Sequence, residues 1–543
     1  MLAILMALVA SPMVQESANA SARVVERSAA AAANPYDSAL FAQLAMAQRE
    51  AGDLAASRDT FARVVELDGS VRWQDLWNLA CAEAVLGHRD AALDAIERSL
   101  DAGLTDDGLV LRDPDLETLR DDPRFRAITG LYPPDGLSRD ERWRYDLAFL
   151  DRRMERMHWN LYAHIAKDEW KRELGALAAD VPTLREGQIR ARLRSLIARV
   201  GDGHTLMRSV PEGTSTVDTF PLDLHLFTDG LYVVGAPKAL AGLVGGRVRT
   251  LGDVPVERAL VAMRPYVSVD NEMGYRDWAP SALTSPDVLE EIGALAPEEP
   301  LDLEIVRADG QRERSFIERV QMVSSSSVHD TLGRGRANGW VYADDVGAGA
   351  RPLYLRNAER PLWFDDLPEQ HLVYFWFGAV DDPPGGTFEG FCRGLFEHVA
   401  AVRAENLVID MRLNDGGNTG VVLPLIHGLV RCDALNRAGH LFVVTGRRTF
   451  SAAMNTCSLL ELHTRAIFVG EPTGSRPNFV GESTSFVLPC TRYRVFCSSR
   501  YWQHVSSTDK RPWIAPSIVA EPSFADFAAR RDPVLDAILA RLR

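Results

Sequence analysis

The chain has 543 residues, and 60 Lys+Arg against 75 Asp+Glu leave a formal net charge of −15. At about 150 residues per domain this length predicts about three or four domains. A hydrophobic share of 46% with 25% charged residues excludes a disordered, collagen-like or coiled-coil chain, and the acidic balance sets nucleic acid aside as a partner.

Residues 1–20 open with an apolar run from Leu2 to Ala10, followed by Ala18-Asn19-Ala20, the small-residue pattern of a cleavage site. They are read as a secretory signal and the protein as exported, periplasmic or extracellular; without that signal it would be cytoplasmic. No Lys or Arg precedes the run, and no later stretch reaches the ~18 apolar residues of a transmembrane segment.

Residues 34–132 carry a helical pattern that repeats, with Gly52 and Gly87 at matching turns 35 residues apart. Ala45 and Ala80, and Ser57 and Ala92, are small enough for close helix crossing, while Phe61 and Ile96 fill the next layer. The stretch resembles tetratricopeptide repeats, which implies binding of an adaptor or self-association. Padding of a neighbouring domain is the other reading. A Pro-Pro-Asp-Gly linker (Pro133 to Gly136) follows, and residues 137–210 again show apolar residues at three- and four-residue spacing, a helical entry segment.

The period then changes. Residues 218–320 alternate around turn signals such as Asp229-Gly230, as expected of a small β module. This module resembles a PDZ domain, which implies that Gly242 to Gly246 lie where a peptide carboxylate binds. After a loop expected from Asn338 to Arg351, residues 345–543 alternate strand and helix, the pattern of a mostly parallel sheet with helical crossovers. The chain is thus read as multi-domain α/β: helical repeats, entry segment, PDZ-like β module and α/β core.

In sheets of that type sites gather where strands end and helices begin, which puts the segments around Asp415, Ser451 and Glu471 on one edge. Ser451 follows a predicted strand and starts an apolar helix. There the unpaired N–H groups of Ala452 and its neighbours, with the helix dipole, prepare a place for an oxyanion. Gly416 and Gly417 let further N–H groups approach a substrate without side-chain obstruction. The six cysteines form no CxxC pair or zinc-type cluster, so no metal or other cofactor is expected. Cys490 and Cys497 are read as a hairpin disulfide or as two separate thiols.

The motifs RVGDGHTLM, NLVIDMRLNDGGN, TGRRTFSAAM and AIFVGEPTGS come in that order. Together they resemble the serine peptidase family of the C-terminal processing (tail-specific) peptidases and the tricorn protease core, over residues from about Asp140 to the C-terminus. The resemblance implies that Ser451 is the nucleophile and His204 its general base. Serine needs such a base because its hydroxyl proton is held too tightly at neutral pH, and imidazole suits the role. The family's other branch uses a lysine where this chain has Arg476, which cannot abstract a proton. An acid should orient the imidazole. Asp509 matches the tricorn-like acid, with Glu482 and Asp410 as competitors, of which Asp410 reads as structural. Where tricorn-like members have serine before the histidine, this chain has Gly203. No G-x-S-x-G elbow and no H-E-x-x-H helix occurs. The expected activity is hydrolysis of peptides or protein tails through an acyl enzyme. The alternative is a degenerate peptidase fold that acts as a binding or scaffold protein through its repeats and PDZ-like module.

Overall fold

The computed structural model describes residues 12–69, 72–214, 216–323, 337–346, 349–357 and 359–542; the apolar run Leu2 to Ala10 lies outside them. The chain forms two compact units, one of Met1–His158 with Thr484–Arg492 and one of Trp159–Ser483 with Tyr493–Arg543. No helix among the described residues is long and apolar enough to cross a membrane.

In the first unit, helices Ser38–Glu50 and Leu54–Leu67 make one hairpin and Trp73–Val85 and Arg89–Asp101 the next. Their starts and turns follow from local chemistry. Asp37 and Asp53 accept the first free N–H groups of their helices, and Gly52 and Gly87 take left-handed φ values of +83° and +78°. Ala45, Ala80 and Ala92 are fully buried, and Ser57 donates to the Ala45 carbonyl at 2.8 Å, so these helices cross closely. Helix Arg139–Met157, opened by a Ser138/Glu141 capping box, presents buried Asp146 to the N–H groups of Cys490 and Thr491. Those bonds hold the 484–492 segment to this unit.

The second unit contains helices Lys167–Asp180 and Glu186–Ala198, a β module and an α/β core. The module's sheet has strands Asp223–Phe227, Gly230–Pro237, Arg247–Leu251, Val254–Pro255, Leu301–Val306 and Arg312–Ile317, flanked by helices Val256–Ala262, Glu272–Ala282 and Pro286–Glu291. It is completed by Trp340–Tyr342, so part of the loop expected from Asn338 to Arg351 is a strand, paired antiparallel with Gly230–Pro237. In the expected carboxylate cradle, Gly242 to Gly246, the last two donors are engaged. Gly245 and Gly246 donate to the carbonyls of Val233 and Leu243, and a Cβ on Gly246 would lie 2.3 Å from Ile305, so Gly246 serves close packing.

The core is a six-stranded sheet in the order Leu362–Leu367, Leu372–Phe377, Asn406–Asp410, Leu441–Thr445, Ile467–Gly470, Ile518–Val519. The first pair is antiparallel and the rest are parallel. Leu372–Phe377, Asn406–Asp410 and Leu441–Thr445 are buried along their whole length, as near-continuous apolar runs require when helices cover both faces. A separate three-stranded sheet places Tyr493–Gln503 between Leu206–Pro211 and Asn478–Val487. Cys490 lies in the turn after Asn478–Val487 and Cys497 inside the following strand, and both are free buried thiols, the second of the two readings.

Candidate active site

Adjacent parallel strands end at one edge, so the loops after Asn406–Asp410 and Leu441–Thr445 lie side by side. They are stitched together: Thr449 Oγ1 donates to the Met411 carbonyl at 2.9 Å, and the Phe450 N–H donates to the Asn414 carbonyl at 3.1 Å. Helix Ser451–His463 begins there, and Ser451 itself adopts φ +53°. For a residue with a Cβ this left-handed conformation costs about 1–3 kcal/mol, a strain that persists only where the surroundings over-determine it.

His204 reaches the same place by a different route. It lies two residues before the Leu206–Pro211 strand, whose register sets Leu206 opposite Phe496 and Met207 opposite Val495. Thr205 and Ser498 hydrogen-bond each other, and Ser498 Oγ donates to Asp202 at 2.7 Å. Asp202 Oδ1 also accepts the N–H groups of His204 (2.9 Å) and Thr205 (2.8 Å), an Asx-type turn that presents the imidazole. The outcome is a 2.9 Å contact between His204 Nε2 and Ser451 Oγ, across 247 residues of sequence.

The imidazole is stacked against two phenyl rings. Phe450 stacks on it at 4.3 Å between centroids with 25° between planes, and Phe479 at 5.5 Å and 6°. The ring is buried, and among the described residues its Nδ1 has no hydrogen-bond partner. Burial pushes its pKa down to about 4, with Asp202 pulling weakly the other way, so the ring is neutral at pH 7. Glycines make room for this packing. A Cβ on Gly203 would come 2.8 Å from the Phe450 ring, and one on Gly481 would come 3.2 Å from His204 Cε1 and 2.8 Å from Phe479. Gly203, the departure from the tricorn-like pattern, thus has a steric reason.

The expected oxyanion donors divide. The Gly416 N–H is already bonded, donating to Asn414 Oδ1 at 2.9 Å, so its expected role is corrected. Gly416 instead supplies space, because a Cβ there would stand 2.6 Å from Ser451 Cβ. Among the described residues the N–H groups of Gly417 and Ala452 donate to nothing. Asp509 is also corrected. Its carboxylate is taken by Arg511, which bonds it at 2.8 Å through Nη2 and simultaneously holds Glu461, and no bond joins it to His204. Arg511 also holds the Asp509 carboxyl below its usual range. Of the competitors, Glu482 is exposed and Asp410 is buried against Arg412 and Tyr374. Arg476 donates to the Asp270 carbonyl at 2.9 Å.

Sequence reasoning missed Asp202, Asp270, Phe450 and Phe479. Asp202 carried a local signal, an aspartate two residues before a histidine beside glycines; Asp270 carried none, because its partners lie far away in sequence. Its carboxylate accepts the Gly203 N–H at 2.8 Å, and burial pushes its pKa up to about 6.

Neither a family model nor a curated protein matches this chain. Solved structures do. Mature CPAF complexed with lactacystin aligns over 74% of this chain and 98% of its own, at 13% identity and a TM-score of 0.52. A serine-to-alanine mutant of CPAF aligns over 74% and 96%, at 12% identity and a TM-score of 0.51. The photosystem II D1 C-terminal processing protease aligns over 75% and 100%, at 13% identity and a TM-score of 0.36. What this chain shares with CPAF at such identity is the fold.

Proposed function

We propose that this protein is a serine peptidase acting on peptides or protein tails, with Ser451 as nucleophile and His204 as general base. The observation that carries the reading is the 2.9 Å contact between His204 Nε2 and Ser451 Oγ at a helix start with open N–H groups. As Ser451 Oγ attacks the scissile carbonyl, Nε2 takes the hydroxyl proton. The developing oxyanion is met by the Ala452 and Gly417 N–H groups, each such donor being worth about 10²–10³ in rate. The imidazolium returns its proton to the leaving amine, and water then releases the acyl enzyme.

A carboxylate at Nδ1 is not part of this mechanism, since Asp509 belongs to Arg511. The faces of Phe450 and Phe479 take over some of its work. They fix the ring plane and attract the transient positive charge. The tetratricopeptide-like repeats are proposed to bind an adaptor or a second copy, the PDZ-like module to engage substrate chain, and export to follow from residues 1–20. The unpartnered Nδ1 favours a second reading, a binding protein on a degenerate peptidase fold.

A fluorophosphonate probe separates the two. Labelling of the wild-type protein that disappears in Ser451→Ala and falls steeply in His204→Gln is the expected result. A well-folded wild-type protein that never labels overturns the peptidase.

A further inference from the structure

We propose that Asp270, a residue of the β module, is a positioning residue for His204, its carboxylate fixing the peptide that carries the imidazole; this rests on the peptidase reading above. Asp270 is 5% exposed, and its bonds go to Gly203, Ser475 and Arg476, not to Ser451. One carboxylate oxygen accepts the Gly203 N–H at 2.8 Å, and the other accepts the Ser475 hydroxyl. Its own carbonyl accepts Arg476 Nε at 2.9 Å.

The tie continues along the chain. Asn271 Nδ2 donates to the carbonyls of Thr473 (3.1 Å) and Pro512 (2.7 Å), while its Oδ1 accepts the Gly274 N–H and caps helix Glu272–Ala282. The helix and the Thr473–Arg476 loop approach so closely that a Cβ on Gly274 would lie 3.0 Å from the Gly474 carbonyl oxygen. Asp270 is therefore held from several sides before it touches Gly203, and it acts as a fixed post.

The post matters because of what His204 lacks. With no partner at Nδ1, the ring position is set by the two phenyl faces and by the backbone on which it stands. Asp202 holds that backbone at the His204 N–H, and Asp270 holds it one peptide earlier. Gly203 lies directly under Phe450, so a shift of its peptide moves the imidazole and the stacked ring together. A displacement of about 1 Å between base and nucleophile costs on the order of 100-fold in rate.

The test uses the full chain. Asp270→Ala removes both acceptors, whereas Asp270→Asn keeps an acceptor for the Gly203 N–H and offers its amide to Ser475 Oγ. Asp270→Ala is expected to lower kcat about tenfold or more with KM within about twofold, and Asp270→Asn to restore kcat to within about threefold of wild type. Arg276→Ala, which cuts the same helix loose from Glu521 without touching Gly203, should leave kcat within about twofold. Wild-type kcat in Asp270→Ala, or equal losses in the Ala and Asn variants, overturns the inference.

A second measurement does not depend on turnover. The His204 ring is followed by NMR in the Ser451→Ala background, its signal assigned by loss in His204→Gln. A shift in Asp270→Ala that reverts in Asp270→Asn supports positioning; an unmoved resonance overturns it. If Asp270→Ala does not fold, Ser475→Ala loosens one anchor of the carboxylate and should move the same resonance in the same direction, with no movement again overturning the inference. Absence of fluorophosphonate labelling in the wild type strikes the peptidase reading alone, since the ring resonance still reports on Asp270.

Discussion

Two buried polar sites in the second unit are built on opposite principles. Around Arg412 every charge is answered: Asp410 accepts from Arg412 and from the Tyr374 hydroxyl at 2.7 Å, Asp532 accepts the other end of the guanidinium at 2.9 and 3.1 Å, and Tyr354 lies beneath it at 4.3 Å. Around Ser451 the bonding is incomplete. Among the described residues His204 Nδ1 has no partner and the Gly417 and Ala452 N–H groups donate to nothing, and Ser451 carries a strained φ of +53°. A saturated network has no capacity left for a substrate, while unsatisfied donors are what a developing oxyanion can engage. Burial alone does not distinguish these two sites; the completeness of their bonding does.

The largest test of this contrast is Ser451→Ala, expected to lower peptide hydrolysis by on the order of 10⁴-fold or more while leaving the melting temperature unchanged or higher. Asp410→Ala should do the reverse. Removing one partner of the buried pair leaves Arg412 short of a counter-charge and should cost about 3–5 kcal/mol in urea unfolding. Similar stability losses for the two variants would erase the distinction.

Proton linkage sharpens it within the active site. His204 titrates near 4 in the native state against 6.5 as its ordinary value, so between those values the unfolded chain binds the extra proton. Its contribution is present above 6.5 and is lost as pH falls toward 4. Asp270, raised from 3.8 to about 6, has the opposite sign: its contribution is present below 3.8 and is lost as pH rises through 6. Urea titrations across pH 3.5 to 7, compared with His204→Gln and Asp270→Asn, should remove these slopes one at a time. The acid limb of kcat/KM should likewise fall near pH 4, and a limb at the ordinary histidine value would show that the ring is not held as described.

Smaller effects probe the packing. Gly203→Ala drives a methyl to 2.8 Å from the Phe450 ring and should lower kcat about tenfold by tilting the stack. Ser451→Gly, inactive by construction, should raise stability by about 1 kcal/mol in urea unfolding by relieving the left-handed φ. No gain there would mean the strain is not stored at that residue.

Much of the second unit was legible because it rests on local rules. The apolar run Asn406–Asp410 reads as a buried strand, and the serine at the start of an apolar helix reads as a site because helix starts leave N–H groups unpaired. The errors share one cause. Asp509 was assigned without regard to Arg511 two residues on, which captures its carboxylate. Gly416 and Gly417 look alike in sequence, yet only the Asn414 side chain decides that the Gly416 N–H is bonded. The Gly245 and Gly246 donors were likewise already engaged by carbonyls.

Sequence alone determined which segments become strands and helices, where glycine must turn the chain, and which hydroxyl stands at a helix start, because these depend on periodicity and on groups a few bonds apart. Only the tertiary structure decided that His204 meets Ser451, that aromatic faces rather than Asp509 flank the imidazole, and that Asp270 braces it from another module. Those outcomes depend on strand register and on which donor each carboxylate finds first in three dimensions, and neither is written in the spacing of residues along the chain.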